Sequence, residues 1–310
     1  MTESSGMDID DASLRLTIDI ISAVAFAFPR TAVDLGQDEI IECLPNALRE
    51  IQKRMTNPFR AFISSKEARR AMHCAKVFER ACRDMLVHIR HCDLNNLPKN
   101  DVGRQLLDVR RPDDGCALTD EQLIAEIGTF LMGGLETTAH TLSFTLYCIA
   151  ANPIVQQHIV QELLAHNLLR STKHEPLDLT FDRLAQLLYV DAVLKEAMRM
   201  FSVVAGFPRI TDQDFYLENL RIKSGSFIYV SLYALHMSGL LWDKPEVFNP
   251  DRWFSHDNLK DSYAHDTSLT TDVDNNIRTF LPFSNGPRSC IAQVISATSK
   301  HGMLLTKHIL

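Results

Sequence analysis

The sequence predicts a mainly α-helical fold with a small β portion, and three observations carry that expectation. Apolar residues recur at helical spacing through most of the first two-thirds of the chain. One such run, residues 119–151, continues without proline until Asn152-Pro153 stops it. Short β-like runs are confined to residues 215–231.

The elements follow in order. Residues 10–28 have the apolar spacing of a buried helix, stopped by Pro29. Residues 38–55 and 66–91 read as amphipathic helices separated by the breaker Asn57-Pro58. The second carries Arg69, Arg70, Lys76, Arg80 and Arg83, but Glu67, Glu79 and Asp84 are interspersed, so a solvated face is expected. Residues 95–115, rich in Asn, Asp and Pro, read as a connection around a short helix. Thr119 and Gln122 have capping-box spacing and open the long helix. That helix would be roughly 45–50 Å long at the usual rise per residue. Near its middle, Gly133-Gly134 costs about 2 kcal/mol relative to two alanines. Helices are also expected at 153–167 and 189–201, and a hairpin around Lys223-Ser224-Gly225. Residues 240–287 show little periodicity, and loops of that length are uncommon unless functional. A final helix is expected after Cys290.

Composition narrows the function classes. The 310 residues suffice for one large domain or two medium ones. With 39 acidic against 32 basic residues the net charge is −7, which leaves no basic excess for nucleic acid. A hydrophobic share of 45% is too high for a disordered chain. Residues 1–10 are polar and acidic, unlike a signal peptide. Residues 14–28 carry Arg15 and Asp19 and are too short to span a bilayer. The seven cysteines are odd in number and include no Cys-x-x-Cys pair, which argues against a disulfide scaffold or structural zinc site.

Cys290 stands apart from the other thiols. It lies in Phe283-Ser-Asn-Gly286-Pro-Arg288-Ser-Cys290-Ile-Ala292, where Gly286-Pro287 makes a tight turn. A thiol just before a helix start, with a guanidinium two residues away, favours the thiolate. A soft anionic sulfur on a rigid loop is a good ligand for haem iron. The plain alternative for a lone cysteine is an inert buried thiol.

The segment resembles the haem-binding loop of the cytochrome P-450 family, Phe-x-x-Gly-x-Arg-x-Cys-x-Gly, with Ala292 in place of the last glycine. Three further matches appear in the family's order. Gly133-Gly134-Leu135-Glu136-Thr137-Thr138 is similar to the family's long oxygen-binding helix. The resemblance gives the glycines a reason, close passage over a flat cofactor. It makes Thr137 the hydroxyl that serves oxygen activation and Glu136 part of the proton supply, since O–O cleavage consumes two protons. A threonine bonding back to its own helix is the alternative. Glu196-Ala-Met-Arg199 and Phe248-Asn-Pro250-Asp-Arg252-Trp253 resemble the segments that form a buried triad of Glu196, Arg199 and Arg252. Phe207-Pro208-Arg209 matches a stretch in which Arg209 contacts a haem propionate, with Arg288 on the other propionate side; a solvated Arg209 is the alternative. Val203, Val204, Ala205, Gly206, Phe130 and Gly133 would line the substrate side. His140 and His236 are expected to be structural residues and not iron ligands.

The resemblance implies a P-450-like fold over 1–310, incomplete at the N-terminus and at the C-terminus, with no membrane anchor of its own. Its parts are the long helix at 119–151, the Glu-x-x-Arg helix at 189–201 and the haem-thiolate loop at 280–292. It implies haem b held by Cys290 and a monooxygenase that places one atom of O2 into an apolar organic substrate. Electrons would come from NADPH through a reductase partner. A full-length eukaryotic relative would sit at the endoplasmic reticulum membrane, on its cytosolic face. A second class also stands, a truncated, non-catalytic relative that folds poorly or acts only as a binding protein. The carbon monoxide difference spectrum of the reduced protein separates the two.

Overall fold

The computed structural model describes residues 6–57, 59–60, 65–92, 101–168, 180–254, 279–291 and 293. It divides into two compact units, Met1–His140 and Thr141–Leu310.

The first unit is helical because its apolar residues fall on stripes that can be buried together. Helix α1 (Ile9–Phe26) starts where the Asp8 carboxylate accepts from the amides of Asp10 and Asp11. It ends at Ala27, which adopts a left-handed conformation, ahead of Pro29. A short α2 (Ala32–Leu35) follows, its Ala32 and Val33 amides held by the Asp19 carboxylate at 2.9 and 3.0 Å. Asp38 caps α3 (Glu39–Thr56) and also pairs with Arg30. Helix α4 (Lys66–His91) packs along α3. The basic residues of α4 lie exposed, with Arg83 paired to Glu79, as a solvated face requires. Helix α5 (Val102–Asp108) is the short helix in the polar connection.

Helix α6 (Asp120–Ala151) begins with the expected reciprocal cap. The Thr119 amide donates to Gln122 Oε1 at 2.9 Å, and the Gln122 amide donates to Thr119 Oγ1 at 3.3 Å. Its Ile124, Ile127, Leu131 and Leu135, three or four residues apart, join Ile18, Ile21 and Phe26 of α1, Ile40 and Leu44 of α3 and Met85 and Ile89 of α4 in one core. The unit boundary falls inside α6.

The second unit contains α7 (Pro153–Ala165), the single turn α8 (Phe181–Leu184) and α9 (Leu188–Met200). Leu187 cannot cap α9 with its side chain. Glu162 of α7 does so instead, accepting from the amides of Tyr189 at 2.7 Å and Val190 at 2.9 Å. Residues 192–199 of α9 are all buried, charged ones included.

The strands differ from expectation. Strands β1 (Gly206–Ile210) and β4 (Phe227–Ser231) pair antiparallel, with Pro208 opposite Tyr229. A separate hairpin joins β2 (Phe215–Leu217) to β3 (Leu220–Ile222). Its turn lies at Glu218 and Asn219, where Glu218 has φ +51°, and not at Lys223–Gly225. The latter turn instead carries the chain from β3 into β4 beside β1, with Gly225 N donating to the Thr211 carbonyl at 2.8 Å. Strand β1 escaped the sequence because Pro208 and an exposed face erase the alternation that marks a strand.

Beyond β4 come α10 (Leu232–His236) and a 3-10 turn, Pro250–Trp253. Among the described residues no helix is long and apolar enough to cross a membrane. The helix expected after Cys290 lies outside the described residues except for Gln293, and so does Ala292.

Candidate functional site

Within the first unit, the site residues expected from the sequence sit on α6. Thr137 Oγ1 donates to the Gly133 carbonyl at 2.6 Å, the bond back to the helix that was the alternative to a catalytic role. A hydroxyl has one proton to donate, so with that proton committed Thr137 offers acceptor capacity. Beside it, Glu136 is half-buried. Burial pushes its carboxyl above the ordinary carboxylate range, His140 opposes that shift, and Asp10 adds to it. His140 Nδ1 lies 2.9 Å from Asp10 Oδ1, so this histidine is tied to the start of α1.

The two glycines separate. A β-carbon on Gly133 would meet nothing within 4 Å, whereas one on Gly134 would lie 2.7 Å from Ile21 Cδ1 and 2.9 Å from Cγ1. Gly134 is thus explained by the close approach of Ile21 on α1. Phe130 is partly buried and packs against the core of its unit. Urea denaturation should separate the glycines by sign. Gly133→Ala is expected to stabilise by about 1 kcal/mol through helix propensity, and Gly134→Ala to destabilise by about 1–2 kcal/mol through overpacking.

Within the second unit, a buried ionic cluster surrounds Glu196. Glu196 and Arg199 are both fully buried and sit one turn apart on α9. Arg199 Nε donates to Glu196 Oε2 at 3.0 Å and Nη2 donates to Oε1 at 2.9 Å, a two-pronged pair. Arg252 Nε donates to Oε1 at 3.0 Å, the Asn249 amide to the same oxygen at 3.0 Å, and Trp253 Nε1 to Oε2 at 3.1 Å. The remaining Arg199 donors reach the carbonyls of His236 and Pro245, each at 2.8 Å. Arg252 also donates to the Asp243 carbonyl at 3.0 Å. The cluster therefore fastens α9, the end of α10 and residues 243–253 together.

From this cluster the chain reaches the cysteine turn. Phe280 packs on Trp253, with ring centroids 4.7 Å apart. The turn itself is set by two left-handed residues, Ser284 at φ +63° and Gly286 at φ +81°. Ser289 N donates to the Gly286 carbonyl at 3.0 Å, and Cys290 N to the Phe283 carbonyl at 2.9 Å. This brings Phe283, half-buried, back beside Cys290, whose thiol is free and exposed. Arg288 is exposed on the same turn. Arg209, on β1, is exposed, stacks over the Phe207 ring at 4.5 Å and donates to the Pro208 carbonyl at 2.8 Å. Val203 is half-buried; Val204 and Ala205 are exposed.

The donor set at this turn is a single presented thiol. Among the described residues, no three His, Cys, Asp or Glu side chains converge on a point where they could cage a metal ion. A single presented thiol fits a group that brings its own equatorial ligands and asks the protein for one axial sulfur. Haem is such a group, and it fits.

His236, expected from the sequence to be structural, is so, although the sequence did not name its partners. It is fully buried and bridges α9 to the cysteine turn, with Nδ1 2.9 Å from Ser202 Oγ and Nε2 accepting from Leu281 N at 3.0 Å. A lone histidine in a loop-rich stretch carries no pattern that would have marked them.

Comparison with known proteins agrees with these features. The Cytochrome P-450 family profile matches residues 1–306. The chain is 36% identical over 179 residues to cytochrome P-450 3A28 of Bos taurus, covering 58% of this chain and 31% of that protein. It is 28% identical over 332 residues to cytochrome P-450 4F11 of Homo sapiens, covering 98% of this chain and 59% of that protein. The chain thus spans at most about three-fifths of these two relatives. Among solved structures, the heme domain of cytochrome P-450DA superposes with a TM-score of 0.75 at 23% identity, covering 98% of this chain and 61% of that one. A cysteine turn braced by a buried glutamate–arginine cluster, a long glycine-bearing helix and a profile match over nearly the whole chain lead to one assignment: this chain belongs to the cytochrome P-450 family.

Proposed function

We propose that the chain is the catalytic part of a haem-thiolate monooxygenase acting on an apolar organic substrate. The observation that carries the reading is Cys290, a free thiol presented on a turn whose backbone is fixed by Gly286 and by the Phe283 carbonyl. Bound haem b would supply O2 activation and the transfer of one oxygen atom, and the electrons would come from NADPH through a reductase.

The residues of this chain contribute binding, charge and protons. Cys290 would ligate the iron, with Phe283 beside it and Gly286 holding the turn. Arg288 and Arg209 supply exposed guanidinium groups for the haem propionates, and Gly133 leaves space on α6. Arg209 would leave its present stacking on Phe207 to do so. Glu136, its carboxyl pushed up by burial, holds a proton more readily than a solvated glutamate and suits a proton donor. Thr137, its own proton committed to Gly133, accepts a hydrogen bond at the oxygen-activating step and keeps the donor's proton directed. Glu196, Arg199 and Arg252 act structurally, bracing the turn before Cys290. The apolar Val203, Val204 and Ala205 favour an apolar substrate. A full-length relative would work at the endoplasmic reticulum membrane, on its cytosolic face.

The carbon monoxide difference spectrum of the reduced protein tests this reading. A thiolate-type Soret band supports it, and no haem uptake by the chain overturns it. With haem bound, Thr137→Ala is expected to divert reducing equivalents from product to hydrogen peroxide. Unchanged coupling in that variant would remove Thr137 from the oxygen-activating machinery.

A further inference from the structure

We propose that His236 is a positioning residue for the cysteine turn, acting through one defined tautomer. The proposal rests on the haem-thiolate reading of Cys290. It adds a part to it: the imidazole at the end of α10, bonded to Ser202 just beyond α9, that holds the entry of the turn at Leu281.

The tautomer follows from the partners. A backbone amide can only donate, so the 3.0 Å contact from Leu281 N makes Nε2 an unprotonated acceptor. The ring proton then sits on Nδ1 and donates to Ser202 Oγ, 2.9 Å away. The backbone carbonyl of His236 is engaged separately by Arg199 Nη1 at 2.8 Å. One residue thus joins the glutamate–arginine cluster by its main chain and the cysteine turn by its side chain. The groups facing the ring are Ser202 at the end of α9, the Leu281 amide, the Phe280 ring at 5.4 Å between centroids, and the Arg199 charge. Complete burial, with Arg199 nearby, pushes the imidazole down to about 4, so the acceptor is present near pH 7.

Position in the turn explains why this matters for Cys290. Leu281 also accepts, through its carbonyl, from Ser284 N at 3.0 Å, and Ser284 is one of the two left-handed residues that shape the turn. Fixing the Leu281 amide therefore fixes the plane from which the turn to Phe283 and Cys290 departs. If the Leu281 amide loses its acceptor, a half-buried donor loses its protein partner and the turn is free to rotate toward water.

Two isosteric substitutions separate positioning from bulk. Glutamine can place an oxygen where Nε2 stands; asparagine reaches only as far as Nδ1. Amide hydrogen exchange at Leu281 in the full chain is expected to be within about twofold of wild type for His236→Gln and at least about fivefold faster for His236→Asn, the factor of one net hydrogen bond. In haem-loaded protein, His236→Asn is expected to lose a large share of the thiolate-type Soret band, and His236→Gln to retain it. Ser202→Ala provides an arm that spares the histidine. Without the Oγ acceptor the ring proton can move to Nε2, and Leu281 exchange should rise severalfold while Leu194 in α9 keeps its wild-type rate. Equal Leu281 exchange in the Gln and Asn variants overturns the proposal. Unchanged Leu281 exchange in Ser202→Ala does so as well, including the case in which His236→Asn fails to fold. If wild-type protein takes up no haem, the haem-thiolate reading falls, while the exchange arm still decides whether His236 holds the turn.

Discussion

Glu196→Gln is expected to destabilise the protein by about 3–5 kcal/mol, although it changes one atom and almost no volume. The five hydrogen bonds that reach the Glu196 carboxylate among the described residues are all donated to it, by Arg199 Nε and Nη2, Arg252 Nε, the Asn249 amide and Trp253 Nε1. Glutamine removes the charge that balances two guanidinium groups and turns one of the two acceptors into a donor. Whichever way the amide is oriented, an N–H then faces an N–H. Among the described residues, Arg199, fully buried, is left with carbonyls, the Met237 sulfur and the face of the Trp242 ring around its charge. Because an ordinary domain is stable by roughly 5–15 kcal/mol, such a variant would stand near the edge of folding. The midpoint of urea denaturation is the measurement, and a loss below about 1 kcal/mol would contradict the buried-charge account. Replacing Glu196, Arg199 and Arg252 together by apolar residues should cost less than Glu196→Gln alone, since paired buried charge is costly mainly when it is broken.

Cys290→Ser should show the opposite profile, with a large chemical effect and almost no effect on stability. The side chain is exposed, and exposed substitutions away from caps and clusters stay within about 0.5 kcal/mol. The hydroxyl, however, does not ionise near neutral pH and is a hard donor, unlike the thiolate. In the carbon monoxide difference spectrum of the reduced protein, the thiolate-type Soret band should vanish. Its persistence in Cys290→Ser would require another ligand and would sink the assignment. Glu196→Gln and Cys290→Ser thus divide the second unit into a part that holds the fold and a part that does chemistry.

The helices were legible because their signals are local. Apolar residues at three- and four-residue spacing marked α1, α3, α4 and α6, and Pro29, Pro58 and Pro153 bounded them. Even the cap at Thr119 and Gln122 could be read, since both partners lie within one turn. Strand β1 and the true hairpin turn were not, because two-stranded ribbons with exposed faces need no alternation. Glu218, moreover, is not a residue that advertises positive φ. Gly134 was legible as an anomaly but not in its cause, because Ile21, more than a hundred residues earlier, supplies the contact. The partners of His236 were not legible for a related reason. Ser202 and Leu281 lie far away on either side in sequence.

The guanidinium of Arg199 has a consequence for how the molecule comes together. Its hydrogen bonds and those of Glu196 draw on residues up to 57 positions apart, from α9 to Trp253. None of these segments can satisfy the buried pair alone, so the pair is a liability until all of them have arrived. Loop closure over such spans costs entropy before any bond returns it, which places this knot among the late events of folding. Once tied, it cannot be loosened by halves: releasing one segment orphans charge in the others. Residues 188–253 should therefore behave as a single cooperative foldon, and the cysteine turn inherits its order from a step the chain completes all at once.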